Sequence, residues 1–314
     1  WTNGMGELVR SAASIYQSLT LTGSDDAIDI TFTVPPFFSL KSNIKIKIYR
    51  TTNDGDDLYL VNSFSVTGLV SNTVTDTMSD DDLVLSSNEP LYTNGSVLSA
   101  YPMNPSLGFT AYRDLIVSIT QDDPLILQYS KPKVVGVALE GNPALTREIE
   151  AYGGPCTVLQ VIDGKLLIGK KSDLYIMIGD GGDATGANSS FRRAVYLNSP
   201  VGIESSKSYA VTPNGGIFKS QKGLYMIDRS LTVSYIGSFA EKYNQYTFTT
   251  ASLDILNNEV RFCTLEGVVI VYDYYWNEWS TDEGTIYVSS TNYDDSFVGI
   301  SYDGRVLKNS SDIY

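Results

Sequence analysis

Four carboxylates, Asp114, Asp163, Asp273 and Glu278, fall at the ends of apolar, strand-like runs, where side chains can converge on a substrate. Glycoside hydrolysis needs only two such groups, so that chemistry is open to this chain, although no spacing singles out one pair. Histidine is absent altogether, which removes Ser-His-Asp and Cys-His catalysis, His-ligated zinc and histidine acid–base chemistry together. The acidic runs Asp80-Asp81-Asp82 and Asp54-Gly55-Asp56-Asp57 lack the alternating Asp and distant Glu of a calcium loop and read as solvated turns. Gly179-Asp180-Gly181-Gly182-Asp183 follows a strand, but no helix or Lys-Ser/Thr pair comes after it. It reads as a flexible loop rather than a phosphate cradle. Tyr272, Tyr274, Tyr275, Trp276 and Trp279 could line a sugar-binding groove, but at alternating strand positions they read as packing between sheets. No catalytic, cofactor-binding or metal-binding residue is assigned, and the chain is expected not to be an enzyme.

The elements that would position these residues are strands. Residues 27–34 (AIDITFTV) alternate apolar and polar as a half-buried strand does, and Pro35-Pro36 stops them. Residues 43–51 alternate again, with Ile44, Ile46 and Ile48 on one face and Lys45, Lys47 and Tyr49 on the other. The turn Asn53-Asp54-Gly55-Asp56 is a hairpin signal, and residues 58–64 and 70–77 supply two further strands. Strands about ten residues apart predict a fibronectin- or immunoglobulin-like β-sandwich module over residues 1–107.

From residue 108 to 314 the texture changes to paired apolar strands around Gly- or Asp-rich turns. The pairs are 114–119 with 125–129, 165–168 with 174–178, 216–218 with 224–227, 260–262 with 268–272 and 297–300 with 306–307. Their leading members recur at intervals of about 51, 51, 43 and 38 residues, the period of four-stranded β-propeller blades. Single helical turns are expected only at 190–195 and 239–244. The fold class expected is all-β: propeller-like blades with a sandwich module.

Composition agrees, with 22 Tyr and 26 Gly in 314 residues and 42% hydrophobic residues, enough for a core. The formal charge of −14 argues against wrapping nucleic acid, which needs Lys and Arg to neutralise phosphates. Cys156 and Cys263, about a hundred residues apart, form no zinc or redox motif and read as buried free thiols. No apolar run approaches the ~20 residues that span a membrane, so no stable membrane insertion is expected. The chain begins at Trp1 without an initiator Met, which reads as a piece of a longer polypeptide or a processed one.

Particular residues carry a family resemblance. Trp1-Thr2-Asn3, Gly6-Glu7 and Ser11-Ala12-Ala13-Ser14 resemble the first module strand of tail nozzle (tail tubular or tail-hub) proteins of short-tailed, podovirus-type bacteriophages. Ile48-Tyr49-Arg50-Thr51 resembles their "RIYRT" strand. Val74-Thr75-Asp76-Thr77, with residues 80–83 after it, is similar to their "tftDt..d..L" strand and turn. Asn88-Glu89-Pro90 and Asn104-Pro105 fall at the family's proline-rich link into the propeller. The match covers about the first 110 residues, without the link's usual tryptophan and doubled prolines or the "FSEP…AWP" signature.

The resemblance implies a virion structural protein of the phage tail, made in the host cytoplasm. Such proteins assemble as a homo-oligomeric ring, usually of six copies, beneath the portal and tail adaptor. The ring forms and gates the DNA-ejection channel and docks tail fibre proteins, and genomic DNA passes without specific binding. No cofactor is implied. The propeller of this chain would be incomplete without upstream blades. The alternative readings are a carbohydrate- or receptor-binding propeller and a propeller glycosidase using paired carboxylates.

Overall fold

A computed structural model describes residues 10–20, 27–34, 44–65, 71–85, 88–91, 98–134, 137–182 and 189–308. Trp1-Thr2-Asn3, Gly6-Glu7, Pro35-Pro36 and Asp183 lie outside the described residues. The chain divides into two compact units, one of Trp1–Met103 with Lys131–Asn142 and one of Asn104–Ser130 with Pro143–Tyr314. The sequence suggested a single boundary after residue 107, whereas here a second stretch, Lys131–Asn142, returns to the first unit.

Among the described residues, the second unit contains five antiparallel meanders, each linked strand to next strand. They are β5 (Ser106–Tyr112), β6 (Leu115–Thr120), β7 (Ile126–Tyr129), β8 (Thr146–Glu148); β9 (Cys156–Ile162), β10 (Lys165–Lys170), β11 (Leu174–Met177), β12 (Val195–Tyr196); and β13 (Tyr209–Thr212), β14 (Gly215–Ser220), β15 (Gly223–Asp228), β16 (Val233–Tyr235). The fourth is β17 (Phe248–Asp254), β18 (Glu259–Thr264), β19 (Val268–Asp273), β20 (Glu278–Glu283), and the fifth is the three-stranded β21 (Tyr287–Tyr293), β22 (Ser296–Ser301), β23 (Val306–Lys308). These are propeller-like blades, and the five apolar pairs read from the sequence are the second and third strands of each.

In the first four sheets those middle strands are apolar on both sides because each is covered twice, whereas Ile300 and Val306 of the fifth stay exposed. In β18 and β19, Val260, Phe262, Val268, Ile270 and Tyr272 join a core shared with the third sheet, through Ile217 and Leu224. The alternate residues Cys263, Val269 and Val271 pack with Phe297 of the fifth sheet. A strand buried on both faces loses its polar alternation. The first strands of neighbouring sheets lie side by side, β5 with β9, β13 with β17, and β17 with β21. Ser and Thr on β17 and β21 bridge these two sheets: Thr250 Oγ1 and Ser290 Oγ are 2.9 Å apart, and Thr249 Oγ1 donates to the Tyr287 carbonyl at 2.5 Å.

Turn chemistry repeats with the blades. The first turn holds left-handed residues, Asp163 and Gly164 in the second sheet (φ 45° and 71°) and Asp294 and Asp295 in the fifth (φ 53° and 55°). Successive positive φ values match the twist of a tight hairpin and favour Gly, Asn and Asp. At the end of the second strand a hydroxyl closes the next turn, with Thr120, Thr264 and Ser301 donating to the carbonyls of Asp123, Val268 and Arg305. Ser238–Tyr243 forms the expected helical turn, as a 3-10 helix. The other expectation fails: Phe191 packs against Tyr112 and Tyr129, Arg192 N–H bonds the Ile178 carbonyl, and Val195–Tyr196 is strand β12. Pairing with the third strand outweighs the local helical preference.

The first unit is a small two-sheet module. Strand β1 (Ile28–Thr33) pairs with β4 (Ser71–Asp76), and β2 (Lys45–Arg50) pairs with β3 (Tyr59–Ser65). The rings of Phe32 on β1 and Phe64 on β3 lie 5.3 Å apart, joining the two sheets. Four strands are described in this module, against the seven of a full immunoglobulin-type sandwich. The Asp80-Asp81-Asp82 run, expected as a solvated turn, begins the one-turn helix α1 (Asp80–Leu83), whose N-cap Ser79 accepts from Asp82 N–H. Acidic residues suit a helix N-terminus, where unpaired N–H groups carry partial positive charge.

Candidate functional site

Two places carry the residues singled out from the sequence. The first is the Arg50 cluster of the small module. The Arg50 guanidinium donates to Asp76 at 2.6 Å, to Asp80 at 2.6 Å, to the Thr51 carbonyl at 3.0 Å and to the Met78 carbonyl. Asp76 is buried, and its other oxygen accepts from Met78 N–H at 2.9 Å. Asp80 also accepts from Asn53 N–H at 2.7 Å. That backbone bond first, and Arg50 second, hold the Asp80 carboxyl below the usual carboxylate range. Two of the stretches that carry the family resemblance, 48–51 and 74–77 with the 80–83 turn, therefore meet in one ion network. The acidic run is occupied by Arg50 and by capping, and no cluster of potential metal ligands occurs among the described residues.

The second place is one end of the meanders. When consecutive hairpins build a four-stranded sheet, its first and third turns emerge at the same end. Contacts between turns align these ends across all five sheets. Tyr112 Oη donates to the Gly164 carbonyl (3.1 Å), Arg229 lies 3.9 Å from Asp163, Asn214 Nδ2 donates to the Tyr274 carbonyl (3.2 Å), and Leu256 N–H to the Asp295 carbonyl (3.0 Å). Asp114, Asp163, Asp273 and Glu278 all lie at this end. The structure thus brings the four sequence candidates to one face, with Asp273 and Glu278 opposite each other across β19 and β20 and Asp163 near Arg229. Asp273 Oδ1 accepts the N–H groups of Tyr275 (2.8 Å) and Trp276 (2.9 Å), which makes it a turn-forming residue.

The aromatic run divides there. Tyr272 and Trp279 stack at 4.6 Å inside the core, with Trp279 Nε1 bonded to the Ile236 carbonyl at 3.0 Å, as expected of packing between sheets. Tyr275 and Trp276 do not pack between sheets: they are 66% and 70% exposed, with rings 4.9 Å apart, on the turn that Asp273 fixes. A pattern of aromatic residues cannot tell a strand end from the turn beyond it.

Two shallow cavities open elsewhere. One of about 300 Å³ is lined by Glu148, Ile149, Glu150, Arg193 and Ala194, with Arg193 and Glu150 paired at 2.8 Å. Another of about 210 Å³ lies among the first strands and includes Phe109, Gln160, Ser206 and Tyr209. Neither contains any of the four carboxylates. The first strands β5, β9, β13 and β21 carry no charged residue, and β17 only the buried Asp254. The exposed carboxylates of the described blades therefore lie away from their first strands.

The remaining candidates have structural roles. Gly179–Gly182, expected as a flexible loop, is held where described: Tyr112 Oη bonds the Gly179 carbonyl at 2.9 Å, and Asp180 N–H bonds Ser190 Oγ at 2.7 Å. A side chain at Gly181 would collide with Leu115. Cys156 and Cys263 are buried free thiols, pushed by burial up to about 11 and about 12. Lys170, missed in the sequence, is fully buried on the second strand of its sheet. Its ammonium group donates to the Glu150 and Tyr152 carbonyls, and burial lowers its pKa. No helix of the described residues is long and apolar enough to cross a membrane.

Comparison with known proteins gives fold neighbours only. No family model matches the chain, and no curated protein matches it. Among solved structures it is similar to BamB from Moraxella catarrhalis, with a TM-score of 0.43 and 13% identity over 81% of this chain and 69% of that one. It is also similar to the Pan2 WD40 domain of Neurospora crassa, with a TM-score of 0.41 and 12% identity over 66% and 60% of the two chains. A third neighbour is PorZ of Porphyromonas gingivalis, with a TM-score of 0.45 and 11% identity over 69% of this chain and 28% of that one. The chain belongs, by its own sheet topology, among all-β proteins built of propeller-like blades.

Proposed function

We propose that this chain is a virion structural protein of the phage tail nozzle type, working as a homo-oligomeric ring. The observation that supports this reading is the Arg50 network, in which two stretches of the resemblance hold each other through Asp76 and Asp80. A module of this kind beside propeller-like blades is what the resemblance implies. The ring makes and gates a DNA-ejection channel, sits against the tail adaptor and docks tail fibres. Acidic surfaces suit a channel, because DNA carries one charge per ~1.7 Å of axis and basic walls would hold it back. Ring contacts between unlike surfaces of neighbouring copies would cover open strand edges.

The test is particle size and shape. Negative-stain images showing rings, together with a mass of several copies in solution, are expected. A strictly monomeric protein at micromolar concentration that binds glycans would sink the reading. A carbohydrate- or receptor-binding propeller is the second reading, favoured by the exposed Tyr275 and Trp276 pair. A propeller glycosidase comes last, since Asp273 is occupied by its turn and Asp163 faces Arg229. Sugar release lost on mutating one carboxylate would establish it.

A further inference from the structure

The fourth and fifth sheets present a surface that the nozzle reading does not use. Three turns meet there: 255–258, 274–277 and 294–295. They are tied together by Leu256 N–H to the Asp295 carbonyl at 3.0 Å and by Tyr274 N–H to the Asn258 carbonyl at 2.9 Å. Ile255, Leu256, Tyr275, Trp276 and Tyr293 project from them, between 43% and 70% exposed. Large apolar side chains grouped on one face mark interaction sites more often than solvated surface.

The turns are also stiff. Asp273 fixes the Tyr275 and Trp276 amides, and Asn277, in the left-handed region at φ 59°, accepts from Tyr272 Oη at 2.8 Å. Presenting rings from a pre-formed turn reduces the ordering cost of binding.

Charge distinguishes the partner. Residues 254–258, 273–278 and 293–295 contain Asp254, Asp273, Glu278, Asp294 and Asp295 but no Lys or Arg. Asp254 is buried, Glu278, Asp294 and Asp295 are exposed, and Lys308 approaches Asp294 at 3.4 Å. Aromatic faces and carboxylates together favour guanidinium and ammonium groups, by cation–π contact and ion pairing. Two copies of this face would bring like charges together, which disfavours self-pairing. The aliphatic Ile255 and Leu256 suit a protein side chain better than a sugar ring.

We propose that the turn face around Tyr275 and Trp276 docks a cationic segment of another protein, one in which Arg or Lys alternates with apolar residues. The proposal rests on this surface alone and is independent of the nozzle reading. The test applies the full chain to an array of short peptides in which Arg or Lys flanks Leu or Val, beside the same peptides with Glu in place of the bases. Saturable binding to the cationic set is expected, falling with added salt. Trp276→Ala is expected to weaken it at least tenfold. The double change Asp294→Asn with Asp295→Asn should weaken it severalfold and flatten the salt dependence. Circular dichroism and thermal melting check that both variants are folded. No selection of cationic over acidic peptides would overturn the proposal. So would binding unchanged in both folded variants, or a preference for neutral oligosaccharides that Trp276→Ala abolishes.

Discussion

The five meanders and the small module meet the same problem, burying enough surface to hold short strands, in different ways. In the first four meanders the middle strands are covered on both sides, so residues such as Phe262, Ile217 and Leu167 lose all exposure. In the module Val34, Ile44 and Leu83 are the only buried hydrophobic side chains among the described residues, and its strands alternate. There an arginine with four acceptors does what apolar volume does elsewhere. Burial on two faces makes a sheet tolerant of polar turns, whereas burial on one face leaves a module dependent on a few charges.

Breaking each side of the comparison gives different readouts. The largest effect is expected from Phe262→Ala, which opens a cavity between the third and fourth sheets and costs about 3–5 kcal/mol in urea unfolding. Thiol labelling would report the same opening. With pKa values of about 11 and about 12, Cys156 and Cys263 react slowly at neutral pH until their sheets part. Arg50→Ala leaves the buried Asp76 without its cation and should cost about 3 kcal/mol. Hydrogen exchange should rise over β2 and β4 but not over β18 and β19, and thiol labelling should stay unchanged. Equal loss of protection in both regions would dissolve the comparison.

Acid gives a smaller effect with a fixed sign. The folded pKa of Asp80 lies below its ordinary value, so its contribution is present above about pH 4 and lost as the pH falls through the folded value. Glu89, lowered chiefly by its bond to Lys47, acts in the same direction. The melting temperature of Asp80→Asn should therefore approach that of the unaltered protein at low pH and fall below it near neutrality. The smallest effect is expected from Trp276→Ala, whose side chain is 70% exposed: stability should change by less than about 0.5 kcal/mol.

What the sequence discloses follows the same division. The middle strands were legible because burial on both faces leaves continuous apolar runs such as LIVSIT and VVIVYD. The first strands, FTTASLD and YVSSTNY, were not identified individually, because they carry hydroxyl residues, some bonded to the next sheet, and form no apolar run. The alternation of the small module was legible, as was its hairpin at Asn53-Asp54-Gly55-Asp56. The partners of Asp80 were not, because Asn53 and Arg50 come within reach only after the strands pair. Of the candidate face, the four carboxylates and the aromatic run were visible as residue types. Their gathering at one end depends on turn order, and the exposure of Tyr275 and Trp276 on where one strand stops.

The outer strands have a consequence for how this protein coexists with other copies of itself at high concentration. β8, β12, β16 and β23 are three residues long or shorter, too short to template another chain. Among the described fourth strands of the blades only β20 is longer, and Glu278, Asp282 and Glu283 sit within its six residues. An incoming strand of the same sequence would meet three carboxylates with its own three, so this edge repels its like. Neutralising those three side chains would leave the sheet intact and turn this edge into a seed for fibres.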